Sequence, residues 1–213
     1  MSAPAGVSPA FWELLVQEPL ADLTVLDVGT GAGRLALGLA PGTERVVGID
    51  RDPEAIAEAQ RRAVALGAAN AEFVLVDAET TEYEVFEPGM VVAHLCMSNA
   101  IVERAARALR PGRVLAFVAF HTDQWCETGR PSRFSYGEER ARHAMTGAGF
   151  EVEHLVVERD VRRFGSVEEA LAAAIGLQER WKADGRWFHY VRFLEEGGRT
   201  LTRSHLIVKA RKA

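Results

Sequence analysis

The fold of this chain is decided by residues 24–33, which read Thr-Val-Leu-Asp-Val-Gly-Thr-Gly-Ala-Gly. The first five residues are rich in β-branched and leucine side chains, which is typical of a strand. Three glycines follow at alternate positions, and residues 34–39 behind them have a helical pattern. Glycines between a strand and a helix allow positive φ angles and let a ligand approach the backbone closely. The stretch therefore predicts a ligand-binding loop at the carboxyl end of a strand.

Short apolar runs alternate with longer helical patterns on both sides of this loop. Further strands are predicted at residues 45–49, 72–76, 90–94, 114–120, 150–157 and 200–210. Helices are predicted at residues 9–18, 34–39, 53–66, 98–109, 137–146, 167–182 and 187–196. This alternation is typical of a mostly parallel sheet with helices on both faces.

The composition is that of an ordinary soluble globular protein. The 213 residues carry a net charge of −5, and 48% are hydrophobic. A net negative charge argues against a broad electrostatic surface for DNA or RNA. The two cysteines, Cys96 and Cys126, show neither a pairing pattern nor metal-ligand spacing, so we expect a reducing compartment and no metal. With no signal-peptide pattern and no long apolar stretch, the prediction is a cytoplasmic protein.

Two classes of ligand fit the glycines taken alone. Residues 31–36 satisfy G-x-G-x-x-A, the dinucleotide-binding pattern, and Asp50 lies about 20 residues further on. Acidic residues near the ends of three successive strands favour another ligand. Asp27 can face a cationic amino group, Asp50 can accept from ribose hydroxyls, and Asp77 can accept from an adenine amine. Three carboxylates suit an amino acid joined to a neutral nucleoside better than a pyrophosphate, which they would repel.

Four segments, in order, resemble known motifs of one enzyme family. Residues 25–33 resemble motif I of the class I S-adenosylmethionine-dependent methyltransferases, residues 47–50 resemble motif II, and residues 76–78 resemble motif III. Residues 109–113, Leu-Arg-Pro-Gly-Arg, are similar to the turn before the fifth strand in the type 11 small-molecule subgroup. The ordered resemblance covers about residues 23–120.

The resemblance implies a specific architecture. We expect a Rossmann-like α/β fold with a seven-stranded, mostly parallel sheet in the order 3-2-1-4-5-7-6 and helices on both faces. The last strand would run antiparallel between the fifth and the sixth. Residues 1–213 would form a single methyltransferase domain, with an N-terminal helix within residues 1–20 and a helical insertion over 159–198 that could act as a lid.

The resemblance also implies S-adenosylmethionine as the cofactor and no metal. The glycines would line its methionine part, Asp50 would hold the ribose, and Asp77 with the small Ala78 would hold the adenine. The expected cofactor-binding residues are Asp27, Gly29, Thr30, Gly31, Gly33, Asp50, Arg51, Asp77, Ala78 and His94.

The chain departs from the family in the region that normally surrounds the transferred methyl group. Pro88 and Gly89 stand where the family usually has an acidic residue before the fourth strand. The segment 94–110 is also short, which predicts an open site, a lid supplied by the insertion, or lost catalysis. No general base is evident. His121, after the fifth strand, is a weak candidate, and a loop histidine without a role is the alternative.

Aromatic residues of the insertion allow two interpretations. They could cover an acceptor pocket, or they could simply pack the insertion onto the sheet. These residues are Phe164, Trp181, Trp187, Phe188, Tyr190 and Phe193.

The leading functional hypothesis is methyl transfer to a small-molecule acceptor that the sequence does not identify. No added recognition domain is visible, and residues 95–98, Leu-Cys-Met-Ser, lack the Pro-Pro motif of many nucleic-acid methyltransferases. The alternatives are an RNA or protein methyltransferase acting with a partner and a non-catalytic S-adenosylmethionine-binding module. An NAD-dependent oxidoreductase would require the less favoured pyrophosphate interpretation.

Overall fold

The apolar runs form the strands of a sheet in a computed structural model of the chain, in which residues 2–131 and 135–213 are described. The strands are β1 (Thr24–Val28), β2 (Arg45–Asp50), β3 (Ala71–Leu75), β4 (Met90–His94), β5 (Val114–His121), β6 (Ser135–Tyr136), β7 (Phe150–Arg163) and β8 (Thr200–Lys212). Their order is β3-β2-β1-β4-β5-β8-β7, with β6 paired to β5. The predicted fold class and strand order are confirmed, and the two-residue β6 is an addition.

Polar side chains cap the N-termini of four helices in the described part of the chain. The helices are α1 (Pro9–Val16), α2 (Arg34–Leu39), α3 (Pro53–Leu66), α4 (Asn99–Ala108), α5 (Glu138–Gly147), α6 (Val167–Ala174), α7 (Gln178–Asp184) and α8 (Arg186–Glu195). The side chains of Ser8, Asp52, Ser98 and Ser166 accept backbone N–H groups in the first turns of α1, α3, α4 and α6. Each side chain thereby satisfies a donor that the helix leaves unpaired.

Strand direction places the carboxyl ends of β1 to β5 at one edge of the sheet. β1 pairs in parallel with β2 and β4, β2 with β3, and β4 with β5. β8 runs in the opposite direction. This is seen from Lys212 at its end, which exchanges backbone hydrogen bonds with Gly112 and Arg113 just before the start of β5. The glycine loop after β1 therefore opens at the edge where β2, β3 and β4 also end.

The predicted helix over residues 167–182 is interrupted in the structure. α6 ends at Ala174, a 3₁₀ turn occupies Ile175–Leu177, and α7 follows. Gly176 lies in this turn, and glycine is among the poorest helix formers, which accounts for the break. β7 also extends to Arg163, six residues beyond its predicted end at 157.

The chain divides into two compact units. The first comprises residues 1–119, 138–156 and 207–213, and the second comprises residues 120–137 and 157–206. The core of the first unit is aliphatic, with β1, β2 and β4 almost wholly buried. A single domain over 1–213 and a lid over 159–198 stay predictions.

The core of the second unit is aromatic. Trp181 and Tyr190 are fully buried, and the Trp181 ring lies 5.2 Å from Trp125 and 5.6 Å from Tyr190 in edge-on arrangements. Phe164 is buried in the same cluster, whereas Phe188 is 67% exposed. Trp187 and Phe193 are partly buried against this cluster, so packing of the insertion accounts for five of the six aromatic residues, and a role in covering an acceptor stays a prediction.

Among the residues described, no helix has the length and apolar character needed to span a membrane.

A partly buried ion network lies within the first unit. Glu18, after α1, pairs with Lys209 and with Arg211 of β8, and both cations also pair with Glu153 of β7. The Glu18 and Lys209 side chains are only 11% and 10% exposed. Burial alone would raise the pKa of Glu18, but hydrogen bonds from Arg211 and Lys209 outweigh it and lower this pKa. The hydrogen bond from Arg211 likewise lowers the pKa of Glu153.

Glu18→Gln is expected to lower the free energy of unfolding at pH 7 by about 1–3 kcal/mol, because the buried Lys209 and the partly exposed Arg211 lose a charged acceptor. A carboxyl whose pKa is lowered on folding stabilises the protein above its ordinary pKa of 4.5, and this stabilisation is lost as the pH falls further. Urea unfolding at pH 7 and in acid measures both effects. The exposed Glu13→Gln is the control, with an expected change within about 0.5 kcal/mol. Equal effects of the two variants would contradict the network's role.

Candidate functional site

Backbone hydrogen bonds hold the glycine loop against β2. The N–H groups of Gly29 and Thr30 both donate to the Ile49 carbonyl at 2.9 Å, and Gly33 N–H donates to Thr30 O at 3.0 Å. All three glycines, Gly29, Gly31 and Gly33, have positive φ angles between 55° and 75°. The alternating glycines are thus required by the shape of the loop, since other residues pay about 1–2 kcal/mol in this conformation.

The three glycines differ in what lies beside them. A Cβ at Gly29 would overlap the side chain of Cys96, and a Cβ at Gly33 would lie 2.8 Å from Phe73 Cζ. A Cβ at Gly31 would meet no atom within 4 Å. Gly29 and Gly33 therefore allow close packing inside the protein, whereas the open side of Gly31 leaves room for a ligand.

Asp27 is a buried carboxylate beneath the loop. It is 1% exposed, and its Oδ2 accepts from Thr30 Oγ1 at 2.6 Å and from Ala36 N–H at 3.2 Å. Burial, helped by the nearby charge of Asp50, raises the pKa of Asp27 to about 6 despite these hydrogen bonds. A buried carboxylate with this pKa suits a site that receives a positively charged ligand group.

Asp50, the last residue of β2, links the loop to the start of α3. Its Oδ2 accepts from Gly31 N–H at 2.8 Å, and its Oδ1 accepts from Asp52 N–H at 3.0 Å. Both carboxylate oxygens are thereby fixed, and each keeps capacity for one further donor. Arg51 is exposed next to it.

Asp77 and Ala78 begin a turn that α4 holds in place. Asp77 Oδ1 accepts from Glu79 N–H at 2.8 Å, and the Tyr83 hydroxyl donates to Ala78 O at 2.8 Å. Arg104 of α4 donates to Glu79 O at 2.7 Å. It also donates to Thr81 O at 3.0 Å and to Glu82 Oε1 at 2.9 Å. Neither Arg104 nor Tyr83 was predicted; the Arg104 contacts join residues up to 25 positions apart, so no local pattern indicates them.

The end of β4 has a strained backbone. Leu95 has φ of 60°, an uncommon angle for a residue other than glycine, and its N–H donates to Val118 O at 2.7 Å. Cys96 follows, and burial raises its thiol pKa to about 11, so the thiol stays protonated at neutral pH. His94 is half-buried, with its ring 6.2 Å from Phe11.

A cavity of about 200 Å³ brings part of the predicted site together. Its lining residues are Val7, Asp27, Gly29, Thr30, Gly31, Ala32, Arg34, Leu35 and His94. Five of the ten predicted cofactor-binding residues are among them. The other five, Gly33, Asp50, Arg51, Asp77 and Ala78, do not line it. Val7 and Arg34 line the cavity without having been predicted.

His121 belongs to the second unit and is only 7% exposed. Its Nδ1 accepts from Asp123 N–H at 3.2 Å and lies 3.0 Å from Ser204 Oγ, and its Nε2 lies 3.3 Å from Thr122 Oγ1. Both ring nitrogens are thus engaged by the protein, an arrangement that favours a structural role. Its role as a base stays a prediction.

A further cavity and the distribution of metal-ligating side chains also bear on ligand binding. The second unit contains a cavity of about 540 Å³, whose lining includes Glu127, Arg159, His189, Arg192 and Phe193. Across the described ranges 2–131 and 135–213, no cluster of three or more His, Cys, Asp or Glu side chains could hold a metal ion.

Comparison with known families gives a match over most of the chain. Residues 20–197 match the family model described as "Methyltransferase domain". A ribosomal protein L11 methyltransferase from Hydrogenovibrio crunogenus is 34% identical over 113 residues. That alignment covers 52% of this chain and 37% of the relative, so the chain matches well under half the length of that protein.

Solved structures share the fold at low sequence identity. The YcgJ protein of Bacillus subtilis has a TM-score of 0.72 at 16% identity, covering 95% of this chain and 98% of that one. Magnesium protoporphyrin IX methyltransferase from Synechocystis PCC 6803, with bound SAH, has a TM-score of 0.65 at 16% identity, covering 96% and 80%.

Asp27→Asn is expected to raise the free energy of unfolding at pH 8 by about 2–3 kcal/mol, because the variant buries no charge. A carboxyl whose pKa is raised on folding stabilises the protein below its ordinary pKa of 3.8, and this stabilisation is lost as the pH rises through about 6. The advantage of the variant should therefore shrink as the pH falls below 6. Urea unfolding at pH 8 and pH 5 tests this, with the exposed Asp22→Asn as control. A pH-independent difference would refute it.

Gly29→Ala should destabilise the protein more than Gly31→Ala. Both variants force alanine into a positive φ, which costs about 1–2 kcal/mol. Only the methyl group at position 29 meets the Cys96 side chain, which should add about 1–3 kcal/mol of overpacking. Thermal and urea unfolding of the two variants side by side give the comparison, and equal losses would argue against the packing at Gly29.

Proposed function

The chain belongs to the class I S-adenosylmethionine-dependent methyltransferases, and we propose that it transfers the methyl group of S-adenosylmethionine to a small molecule. The observation that carries this proposal is the arrangement around Asp50, whose two oxygens are oriented by Gly31 N–H and Asp52 N–H. A carboxylate held at the mouth of a glycine loop can accept from ribose hydroxyls beside a ligand's amino-acid end. The finer likeness to the type 11 subgroup stays a prediction.

The residues of the glycine loop fit the amino-acid end of the cofactor. The cavity of about 200 Å³ is smaller than the ~300–1,000 Å³ of whole ligand pockets, so it would hold one end of the molecule. The open side of Gly31 gives this end room, and the buried Asp27 supplies a negative charge for its ammonium group. Asp27 and Thr30 are joined by a hydrogen bond, which keeps the carboxylate in place.

The nucleoside end would extend along the neighbouring strand ends. Asp50 would accept from the ribose hydroxyls with the capacity left on its two oxygens. Asp77 uses Oδ1 for Glu79 N–H, which leaves Oδ2 to accept from the adenine amine. Ala78 leaves space for the base, and Arg104 keeps the turn in position. Asp77 would thus bind the adenine through a free carboxylate oxygen, as Asp50 would bind the ribose.

When bound, S-adenosylmethionine would supply a methyl group on its sulfonium sulfur: a lone pair of the acceptor would attack the methyl carbon in line, and the C–S bond would break to release S-adenosylhomocysteine. The residues of this chain contribute mainly by positioning, which can supply a large part of the rate in such a displacement. Cys96 beside the loop stays protonated and therefore does not compete as a nucleophile. A base would be needed only for an acceptor that must lose a proton.

A cavity of the second unit bears on the class of acceptor. The cavity of about 540 Å³ in the second unit is of the size that small molecules occupy, which supports a small-molecule acceptor. A methyltransferase for RNA or protein that acts with a partner is the alternative, and the 34% identical relative is by name a protein methyltransferase. A non-catalytic S-adenosylmethionine-binding module is the third hypothesis.

The first experiment is calorimetric titration of the purified protein with S-adenosylmethionine, S-adenosylhomocysteine and NAD. We expect binding of the first two and no binding of NAD. Asp50→Ala should weaken binding by at least about tenfold, since a hydrogen-bonded carboxylate contributes about 1.5–3 kcal/mol.

Asp52→Asn is the matched control, because it removes a negative charge two residues away and asparagine still begins a helix well. Its affinity for S-adenosylmethionine should stay near that of the wild type. Preference for NAD, or no binding of any of the three ligands, would disprove the proposed function. If the protein binds S-adenosylmethionine, methylation assays with small molecules, protein and RNA would then decide which class of acceptor it uses.

A further inference from the structure

An exposed cation, Arg34, borders the glycine-loop cavity. Arg34, the first residue of α2, lines the cavity together with Asp27 and Gly31. Among the residues that line the cavity, it is the one side chain that is always positively charged. In the part of the chain that the structure describes, its guanidinium has no hydrogen-bond or ion-pair partner.

The backbone of the segment before α1 lies against this guanidinium. Gly6 has φ of 82°, and a Cβ built on it would overlap Arg34 Nη1 and lie 3.5 Å from Arg34 Cζ. The next residue, Val7, is 7% exposed and itself lines the cavity. The Val7 N–H donates to Pro4 O at 3.0 Å, which closes a turn around Gly6. Gly6 therefore leaves the space in which the guanidinium lies.

The cavity thus carries opposite charges on separate lining residues. Asp27 is a buried carboxylate of β1, and Arg34 is a cation after the loop. An amino-acid group carries an ammonium and a carboxylate on one carbon, so it would satisfy both. A guanidinium binds a carboxylate through two parallel N–H donors, which fixes orientation as well as adding affinity.

We propose that Arg34 binds the carboxylate of the cofactor's amino-acid end, and that Gly6 is needed to place the guanidinium there. This proposal rests on the proposed function, since it assumes that S-adenosylmethionine occupies the cavity. It makes Arg34 a determinant of specificity for ligands that keep the carboxylate. Asp27, by contrast, serves the ammonium group that all of these ligands share.

Decarboxylated S-adenosylmethionine separates the role of Arg34 from general effects, because it lacks only the carboxylate. Calorimetry with both ligands on the wild type and Arg34→Met gives the comparison. We expect Arg34→Met to weaken S-adenosylmethionine binding by about tenfold or more, as for a lost charged hydrogen bond. Binding of the decarboxylated ligand should change by no more than about twofold, the range of a surface substitution.

Two further variants control this result. Arg61→Met removes an exposed arginine of α3 that pairs with Glu58, and it should leave both affinities unchanged. Gly6→Ala keeps the Arg34 charge but displaces the guanidinium. It should therefore weaken binding of S-adenosylmethionine more than binding of the decarboxylated ligand. Circular dichroism and thermal unfolding identify any variant whose fold is altered.

The outcomes separate this proposal from the proposed function. If Arg34→Met loses affinity for S-adenosylmethionine but not for the decarboxylated ligand, the role of Arg34 is supported. Equal losses for both ligands, or no loss for either, would overturn that role while leaving the cofactor assignment intact. A wild-type protein that binds neither ligand would overturn both.

Discussion

The hydrogen bond from Gly31 N–H to Asp50 Oδ2 joins the two parts of the molecule on which the site depends. The glycine loop comes from β1, and the carboxylate comes from the end of β2, 19 residues later. Parallel pairing of these strands brings their ends to the same edge, and the hydrogen bond fixes the loop relative to the carboxylate. The glycine-loop cavity adjoins this contact at Gly31, and the same carboxylate, which we propose holds the ribose, accepts from Asp52 N–H at the start of α3.

Binding capacity at this edge is obtained at a cost to stability. Asp27 is buried with a raised pKa, Leu95 holds a left-handed backbone, and three glycines adopt positive φ angles. None of these features would be selected for stability alone, and such features cluster where a protein binds or reacts. The aliphatic core beneath β1, β2 and β4 supplies the stability that offsets them.

The sequence was sufficient to predict the fold and the acidic residues at the strand ends, because their signals are local; the roles of these acidic residues in binding stay predictions. The strand at 24–28, the glycines after it and the carboxylates ending β2 and following β3 are each recognisable from a few neighbouring residues. The packing reason for Gly29 was not predictable, because it depends on Cys96, 67 positions away. The same holds for the Arg104 contacts with the turn at 79–82 and for the Gly6 contact with Arg34. These contacts exist only once the sheet has brought distant segments together.

The position of Cys96 has a consequence for how the protein can be observed. Its thiol lies against Gly29, and a thiol held protonated by burial reacts slowly with alkylating reagents. Cys96 is partly exposed, and its alkylation is expected to become faster when the loop and the end of β4 separate, as in a local opening event. The exposed Cys126 belongs to the second unit and needs no such opening, so it reports the intrinsic rate of the reagent. The labelling rate of Cys96 relative to that of Cys126 should therefore rise when the glycine loop opens more often, and a bound ligand that holds the loop closed would lower this ratio.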